Sequence, residues 1–167
     1  PENVKKNKNI INSISFEHKN CNLTYFEMGE SYKQYNSERW SPATFYRLDL
    51  HNLLNNEDKI LHLDGDTLIY KDLSELYNFN IENTCYAGML ERPKSYEFLK
   101  NYKNLGLDIQ NFYINAGVLL INLREVRKLN YDIKGFLDKY HAKISFVDQD
   151  VINPLYDKSK NYFTLNY

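Results

Sequence analysis

Cysteine is scarce in this chain: two residues in 167, Cys21 and Cys85. They form no Cys-x-x-Cys pair and have no histidine pair nearby, which excludes zinc sites of the usual ligand spacing. Two isolated thiols fit a reducing compartment and argue against a disulfide scaffold. Long apolar runs are missing too. No stretch of about 18 hydrophobic residues occurs, so no membrane-spanning helix is encoded. Nor is there an excess of one charge. A formal net charge of −1 gives no general attraction to nucleic acid or anionic lipid. A glycine-rich phosphate loop, a Gly-x-Ser-x-Gly elbow and a basic stripe are all absent, so P-loop chemistry, α/β-hydrolase chemistry and nucleic-acid recognition have no support. The four histidines, His18, His51, His62 and His141, show no metal spacing among themselves. The stretch from Pro1 to Asn7 has no apolar targeting segment and no initiator methionine, and reads as the cut or processed end of a longer chain.

What remains is a globular composition, 43% hydrophobic and long enough for one domain. Such a chain buries on the order of two-thirds of its extended surface. Fifteen tyrosines and nine phenylalanines supply bulk for packing. Asn, Lys and Tyr are used heavily throughout, a compositional bias without an internal repeat.

Ile10, Ile11, Ile14 and Phe16 form a weak helical stripe, and Leu23 to Phe26 read as a short strand. Ser41-Pro42 is a helix start, a hydroxyl cap before a proline, and Phe45, Leu48, Leu53 and Leu54 extend the apolar face to about Leu54. The apolar run Lys59–Leu63 has strand length, Thr67 to Tyr70 is strand-like, and Asp72 or Ser74 is placed to cap a short helix carrying Leu73, Leu76 and Tyr77. A further strand covers about Cys85 to Met89. The most apolar run, Gly117 to Asn122, predicts a fully buried central strand. A helix follows from about Leu123, and Ile133, Phe136, Leu137 and Tyr140 share one face of another. Ile144 to Val147 reads as a short strand, after which Asp148 is placed to cap a helix bearing Val151, Ile152 and Leu155. Strands alternating with helices predict an α/β sheet.

Four clusters carry candidate chemistry. Asp64 and Asp66 follow an apolar strand at spacing i, i+2. In open α/β sheets ligands collect at the carboxyl ends of strands. Two close carboxylates repel each other and favour a cation between them, and hard oxygen donors suit Mg²⁺ or Mn²⁺. Gly65 between them allows close approach to the backbone. Tyr113-Ile114-Asn115-Ala116-Gly117 precedes the central strand; Asn115 offers a donor and an acceptor, while Ala116 and Gly117 are small enough to let a ring lie against the backbone. Phe146-Val147-Asp148-Gln149-Asp150 opens a helix, whose N-terminus favours anionic partners. Arg47 places a planar fork, suited to phosphate or hydroxyl groups, on an otherwise apolar helix side. Each cluster also has a plainer reading: a polar turn, a strand-entry turn, an N-cap and a snorkelling surface arginine. His62 alternates with the apolar residues of its strand and reads as packed.

The blocks Ser41–Leu48, Asp58–Leu68, Asp72–Leu76, Tyr113–Leu123 and Asp148–Asn153, in that order and spacing, resemble glycosyltransferase family 8 across roughly residues 41–167. The resemblance implies a GT-A fold, an α/β/α sandwich with a mostly parallel mixed sheet. It implies a retaining transferase that moves a hexose from UDP-glucose or UDP-galactose to a carbohydrate or glycoconjugate acceptor, with Mn²⁺ or Mg²⁺ as cofactor. Asp64 and Asp66 match the metal-binding pair, Asp66 as the firmer ligand and Asp64 also reaching the ribose or donor sugar. Arg47 would touch the donor sugar, and Asn115, Ala116 and Gly117 would line its pocket. Asp148 and Gln149 would face it as the catalytic residues, with Gln149 near the anomeric carbon. A cytoplasmic enzyme, with or without peripheral attachment to a membrane, is the implied setting. Family members also carry an N-terminal uridine-binding strand and, farther on, a motif with a histidine metal ligand and a phosphate-contacting lysine. Neither has a counterpart here, so residues 1–167 read as a single but partial GT-A-like domain. Ile114 replaces a more usual aromatic. Of the competing readings, a haloacid-dehalogenase phosphatase needs Asp-x-Asp-x-Thr, and Thr67 follows Asp66 directly. A calcium loop lacks its third acid and closing Glu. The remaining alternative is a non-catalytic carbohydrate- or partner-binding domain on the same fold.

Overall fold

The structure, a computed structural model, describes residues 7–10, 12–13, 20, 22–35, 41–91, 96–106 and 112–164. Ile11, Ile14 and Phe16 of the expected N-terminal stripe, and Cys21, lie outside them. Among the described residues four strands form one sheet: β1 (Lys59–Leu63), β2 (Tyr86–Glu91), β3 (Tyr113–Asn122) and β4 (Lys160–Tyr162), in the order β1-β3-β2-β4. The apolar run expected to be central is the heart of β3, although the strand begins four residues earlier, at Tyr113. Leu119, Leu120 and Ile121 are almost wholly buried. Leu119 and Ile121 enter the larger core with Leu48, Leu123, Val126, Leu137 and Val151, while Leu120 joins Leu76, Ala87 and Phe163 on the other face. Alternation along a strand thus puts core on both faces of the sheet.

The sheet is mixed, as expected, but the pairings among described strands differ from a mostly parallel pattern. β3 runs antiparallel to both β1 and β2, and β2 pairs parallel with β4. A doubly buried strand reads as a continuous apolar run whichever way its neighbours run, so direction was not written in the hydrophobic pattern.

Ser41 caps the helical segment that carries Arg47, its Oγ accepting from Ala43 N, with Pro42 at the first position. Residues Pro42–Asp49 wind as a 3-10 helix before α1 (Leu50–Leu53). Thr44 contributes to that tight winding, because its N and its Oγ1 both donate to Ser41 O. Phe45 and Leu48 are buried from this segment, which turns Arg47 toward the sheet end. Helix α2 (Ser74–Tyr77) has Leu73, not Asp72 or Ser74, at its N-cap position and no side-chain capping bond there; Asp72 Oδ1, one residue earlier, accepts from Ser74 N. After α3 (Tyr96–Asn104), helix α4 (Leu123–Leu129) is capped by Asn122 and closed by Asn130 in the left-handed region, and α5 (Ile133–Tyr140) is capped by Asp132.

Three expected strands do not form. Leu23 to Phe26 and Thr67 to Tyr70 are irregular, and Leu68, Ile69 and Tyr70 are exposed. Strand propensity expresses itself only against a pairing partner, and neither segment has a ladder among the described residues. Ile144 to Val147 is a bend and turn instead. Asp150 of α6 (Gln149–Leu155) draws Ser145 N (2.6 Å) and Phe146 N (2.8 Å) onto its Oδ2, and this curls the chain. Val147 then takes φ 41°, a costly value for a β-branched residue. Asp148 stands at the N-cap position of α6 but makes no side-chain capping bond. Its carboxylate points elsewhere, toward Arg47.

Candidate functional site

β1 ends at Leu63, opposite Val118, so its antiparallel partner delivers Asn115–Gly117 beside the residues that follow β1. Asp64 N donates to Gly117 O (2.8 Å), and Thr67 N closes a turn onto Asp64 O (3.0 Å). That turn holds Asp64 half-buried and leaves Gly65 and Asp66 exposed.

On the other flank of β3 the ladder to β2 breaks. Gly88 pairs with Leu119 and Leu90 with Ile114. Between those pairs β2 has one residue, Met89, and β3 has the whole stretch Asn115–Val118. Against β2 this stretch therefore forms a large bulge, while Val118 keeps its register with Leu63 of β1. Its freed polar groups are taken up by side chains from three elements. Ala116 N donates to Gln149 Oε1 (2.9 Å), Arg47 Nη1 donates to Ala116 O (2.6 Å), and Gly117 N donates to Asn115 Oδ1 (2.8 Å). Gly88 is glycine because a Cβ there would lie 2.8 Å from Asn115 O. Gly117 leaves space for Asp64: a Cβ would stand 3.2 Å from Asp64 Oδ2 and 3.0 Å from Asn115 Oδ1.

Arg47 is the electrostatic centre. Its Nη2 lies 2.9 Å from Asp64 Oδ1, and its Nε lies 3.2 Å from Asp148 Oδ2. The Nε hydrogen is directed to Thr44 O (3.3 Å), so buried Asp148 Oδ2 has a cation beside it but no hydrogen bond. Burial pushes the Asp148 carboxyl up to about 7, against the pull of Arg47, and Asp64 raises it further. One guanidinium shared between two carboxylates, with its Nε hydrogen given to a carbonyl, does not cancel that desolvation. On β1, His62 is pushed down to about 4, first by burial and then by Arg47, with Asp64 opposing. It is a neutral, packed imidazole, as its place in the strand predicted.

Seven of the eight candidates therefore meet around the bulge: Arg47, Asp64, Asn115, Ala116, Gly117, Asp148 and Gln149. Asp66 stands at the far side of the turn, exposed to solvent. Asn115 already uses its amide within the protein: its Nδ2 donates to Glu91 Oε2 (3.0 Å) and its Oδ1 accepts from Gly117 N. Glu91, Asp150 and Asn153 enter this network without having been singled out individually. Asp150 and Asn153 lay in plain view, one and four residues after Gln149, but Glu91 carried no signal. Among the described residues no three His, Cys, Asp or Glu side chains are grouped to hold a metal ion, and no helix is long and apolar enough to cross a membrane.

Residues 2–162 match the sequence profile of Glycosyl transferase family 8. The chain belongs to that family. A Haemophilus influenzae relative, classed by name as a glycosyltransferase, is 31% identical over 153 residues, spanning 89% of this chain and 46% of its own length. The Escherichia coli lipopolysaccharide 1,2-glucosyltransferase is 29% identical over 72% of this chain and 37% of its own length. Among solved structures, galactosyltransferase LgtC in complex with donor and acceptor sugar analogues is 25% identical, with a TM-score of 0.69 over 80% of this chain and 49% of that one. The α/β architecture is accordingly the GT-A fold. The chain spans less than half the length of these relatives.

Proposed function

We propose that residues 1–167 form one GT-A-like unit holding the donor side of a retaining hexosyltransferase, which moves a hexose from a UDP-sugar to a carbohydrate or glycoconjugate acceptor. The observation that carries the reading is the convergence on the β3 bulge of an arginine, two acidic side chains and a buried glutamine, drawn from three separate segments. A sugar ring presents hydroxyls that need fixed donors and acceptors, and a bulge whose own groups are already satisfied is a rigid wall for it. Family membership, the likeness to LgtC with its sugar analogues and the glucosyltransferase relative support the same class of donor and acceptor.

The acidic pair fits a divalent cation in chemistry. Asp64 and Asp66 give hard carboxylate oxygens across one turn, and Asp66 reaches solvent. Mg²⁺ and Mn²⁺ sites of this kind use one or two carboxylates and fill the remaining positions with water and phosphate oxygens. A bound divalent ion would supply positive charge for the diphosphate leaving group. The chain's own residues do the rest. Arg47 orients Asp64 and a donor hydroxyl. Asp148 and Gln149 face the sugar, with Gln149 held by Ala116 N and presented toward the anomeric carbon. Asn115, Ala116 and Gly117 shape the pocket floor. The transition state carries oxocarbenium character, as glycosyl transfer does generally. Gln149 is a neutral amide and a poor nucleophile, so the acceptor attacks from the face that the diphosphate leaves. A glycosyl adduct trapped on Gln149 or on a neighbouring carboxylate would refute this route.

The test is calorimetric titration of UDP, with and without Mn²⁺, on this chain and on Asp66→Ala. Manganese-dependent binding that is lost in Asp66→Ala is the expected outcome. Absence of binding, by this chain and by versions extended at both ends, overturns the reading in favour of a non-catalytic binding domain.

A further inference from the structure

Ile114, at the edge of the bulge, and Ala116, within it, have backbone groups bonded by side chains rather than by a strand, and those from α6 lie on one of its faces. Gln149 reaches Ala116 N. One turn later, Asn153 makes three bonds: its Oδ1 accepts from Ile114 N (2.8 Å), and its Nδ2 donates to Ile114 O (2.8 Å) and to Gln149 O (2.9 Å). Asn153 is wholly buried, and so is Ile114. Residues four apart stack on one helix face, so Gln149 and Asn153 point at β3 together. A side-chain amide carries a donor and an acceptor in one plane, as a peptide group does. Asn153 therefore copies the rung that a neighbouring strand would have provided, while its third bond grips the main chain of Gln149.

Asp150 holds the preceding turn from the other side, through Ser145 N, Phe146 N and Asn101 Nδ2. Between them, these two buried polar side chains leave α6 one register against the bulge.

We propose that Asn153 is a positioning residue for the transfer reaction: its amide fixes the register of α6 on the bulge and thereby sets the reach of Gln149 into the donor site. The inference rests on the donor-site reading above, but its structural half is tested independently. Hydrogen exchange at the Ala116 amide reports directly on the Gln149 bond. In Asn153→Ala, Ala116 exchange rises at least tenfold relative to the Phe163 amide, which donates to Gly88 O and is altered in neither variant. Asn122→Ala is the control. It removes a buried asparagine of the same strand that bonds Ile81 O and Glu125 N, away from α6, and leaves Ala116 protected. Asn153→Asp keeps the acceptor for Ile114 N and lacks both Nδ2 donors. It loosens Ala116 as well, and it serves if the alanine variant does not fold. In transfer from UDP-glucose, Asn153→Ala lowers kcat at least tenfold with UDP affinity within twofold of the parent, whereas Asn122→Ala retains kcat. Ala116 protection that survives in the Asn153 variants, or falls no further than in Asn122→Ala, overturns the proposal. A kcat within twofold of the parent overturns it too. A parent that neither binds UDP nor transfers sugar, in this form or extended at both ends, refutes the donor-site reading, and the exchange data still decide whether Asn153 holds Gln149.

Discussion

Asp148 and His62 should drive stability in opposite directions over the same acid range, because burial disfavours the charged form of each and so raises the carboxyl and lowers the imidazole. Asp148 has an ordinary value of 3.8 and about 7 in the fold. Between those pH values the folded protein holds the extra proton, so stability falls as pH rises from 4 to 7. His62 goes from 6.5 down to about 4. Here the unfolded chain holds the extra proton, so stability rises as pH climbs from 4 to 6.5. At 1.36 kcal/mol per pH unit the full excursions are roughly 4 kcal/mol for Asp148 and roughly 3 kcal/mol for His62. Against a domain stability of about 5–15 kcal/mol either one is easily measured, yet in the parent they nearly cancel. Urea unfolding followed by circular dichroism from pH 4.5 to 7.5 tests this. His62→Gln unmasks Asp148, and its stability declines with pH by about 1 kcal/mol per unit relative to the parent. Asp148→Asn unmasks His62 and shows the opposite slope up to pH 6.5. Titration of the other groups is common to all three proteins and drops out of the differences. If the variant profiles run parallel to the parent's, neither group has the displaced value and the electrostatic account of the site fails.

Other outcomes follow from the bulge. Gly88→Ala sets a Cβ 2.8 Å from the Asn115 carbonyl, a backbone atom that cannot swing aside, and costs roughly 2–3 kcal/mol of stability in thermal unfolding. Gly117→Ala meets only side-chain atoms of Asn115 and Asp64, so unfolding changes by less than about 1 kcal/mol, while manganese-dependent UDP affinity falls because the Asp64 carboxylate must move. Arg47→Met strips Asp148 of its cation; the loss is roughly 3 kcal/mol at pH 8 and much smaller at pH 5, where the carboxyl takes up a proton instead.

The fold was legible where pattern and burial coincide. The β1 run, the apolar heart of β3, the Ser41-Pro42 start and the face of Ile133, Phe136, Leu137 and Tyr140 all form as their periodicity requires. What the pattern missed depends on partners distant in sequence. Thr67 to Tyr70 has the composition of a strand and no ladder among the described residues. Ile144 to Val147 has it too, but the Asp150 carboxylate captures the amides that a ladder would need. Strand direction was hidden because β3 is buried on both faces. At the site, the residue types were legible and their use was not. Asn115 was legible as a donor and an acceptor, but not that both ends of its amide hold the protein itself. Glu91 adjoins the site only through a ladder register shifted at Met89, which no local window contains.

That register shift explains why three short motifs far apart in sequence form one site. A regular β3–β2 ladder would satisfy the backbone of Asn115–Val118 and leave Gln149 and Arg47 without their present bonds. Breaking the ladder there exposes an amide and a carbonyl at Ala116, and buried groups of that kind cost about 1–3 kcal/mol each if left unmet. Gln149 meets the amide and Arg47 the carbonyl, and Arg47 in turn gathers Asp64 and Asp148. The bulge and the motifs therefore stabilise each other, and neither is kept without the other. Changing Gln149 or Arg47 should accordingly alter the shape of β3 as well as the chemistry at its end. A variant at either position that left the Ala116 amide as protected as in the parent would show that the strand bulges for reasons of its own.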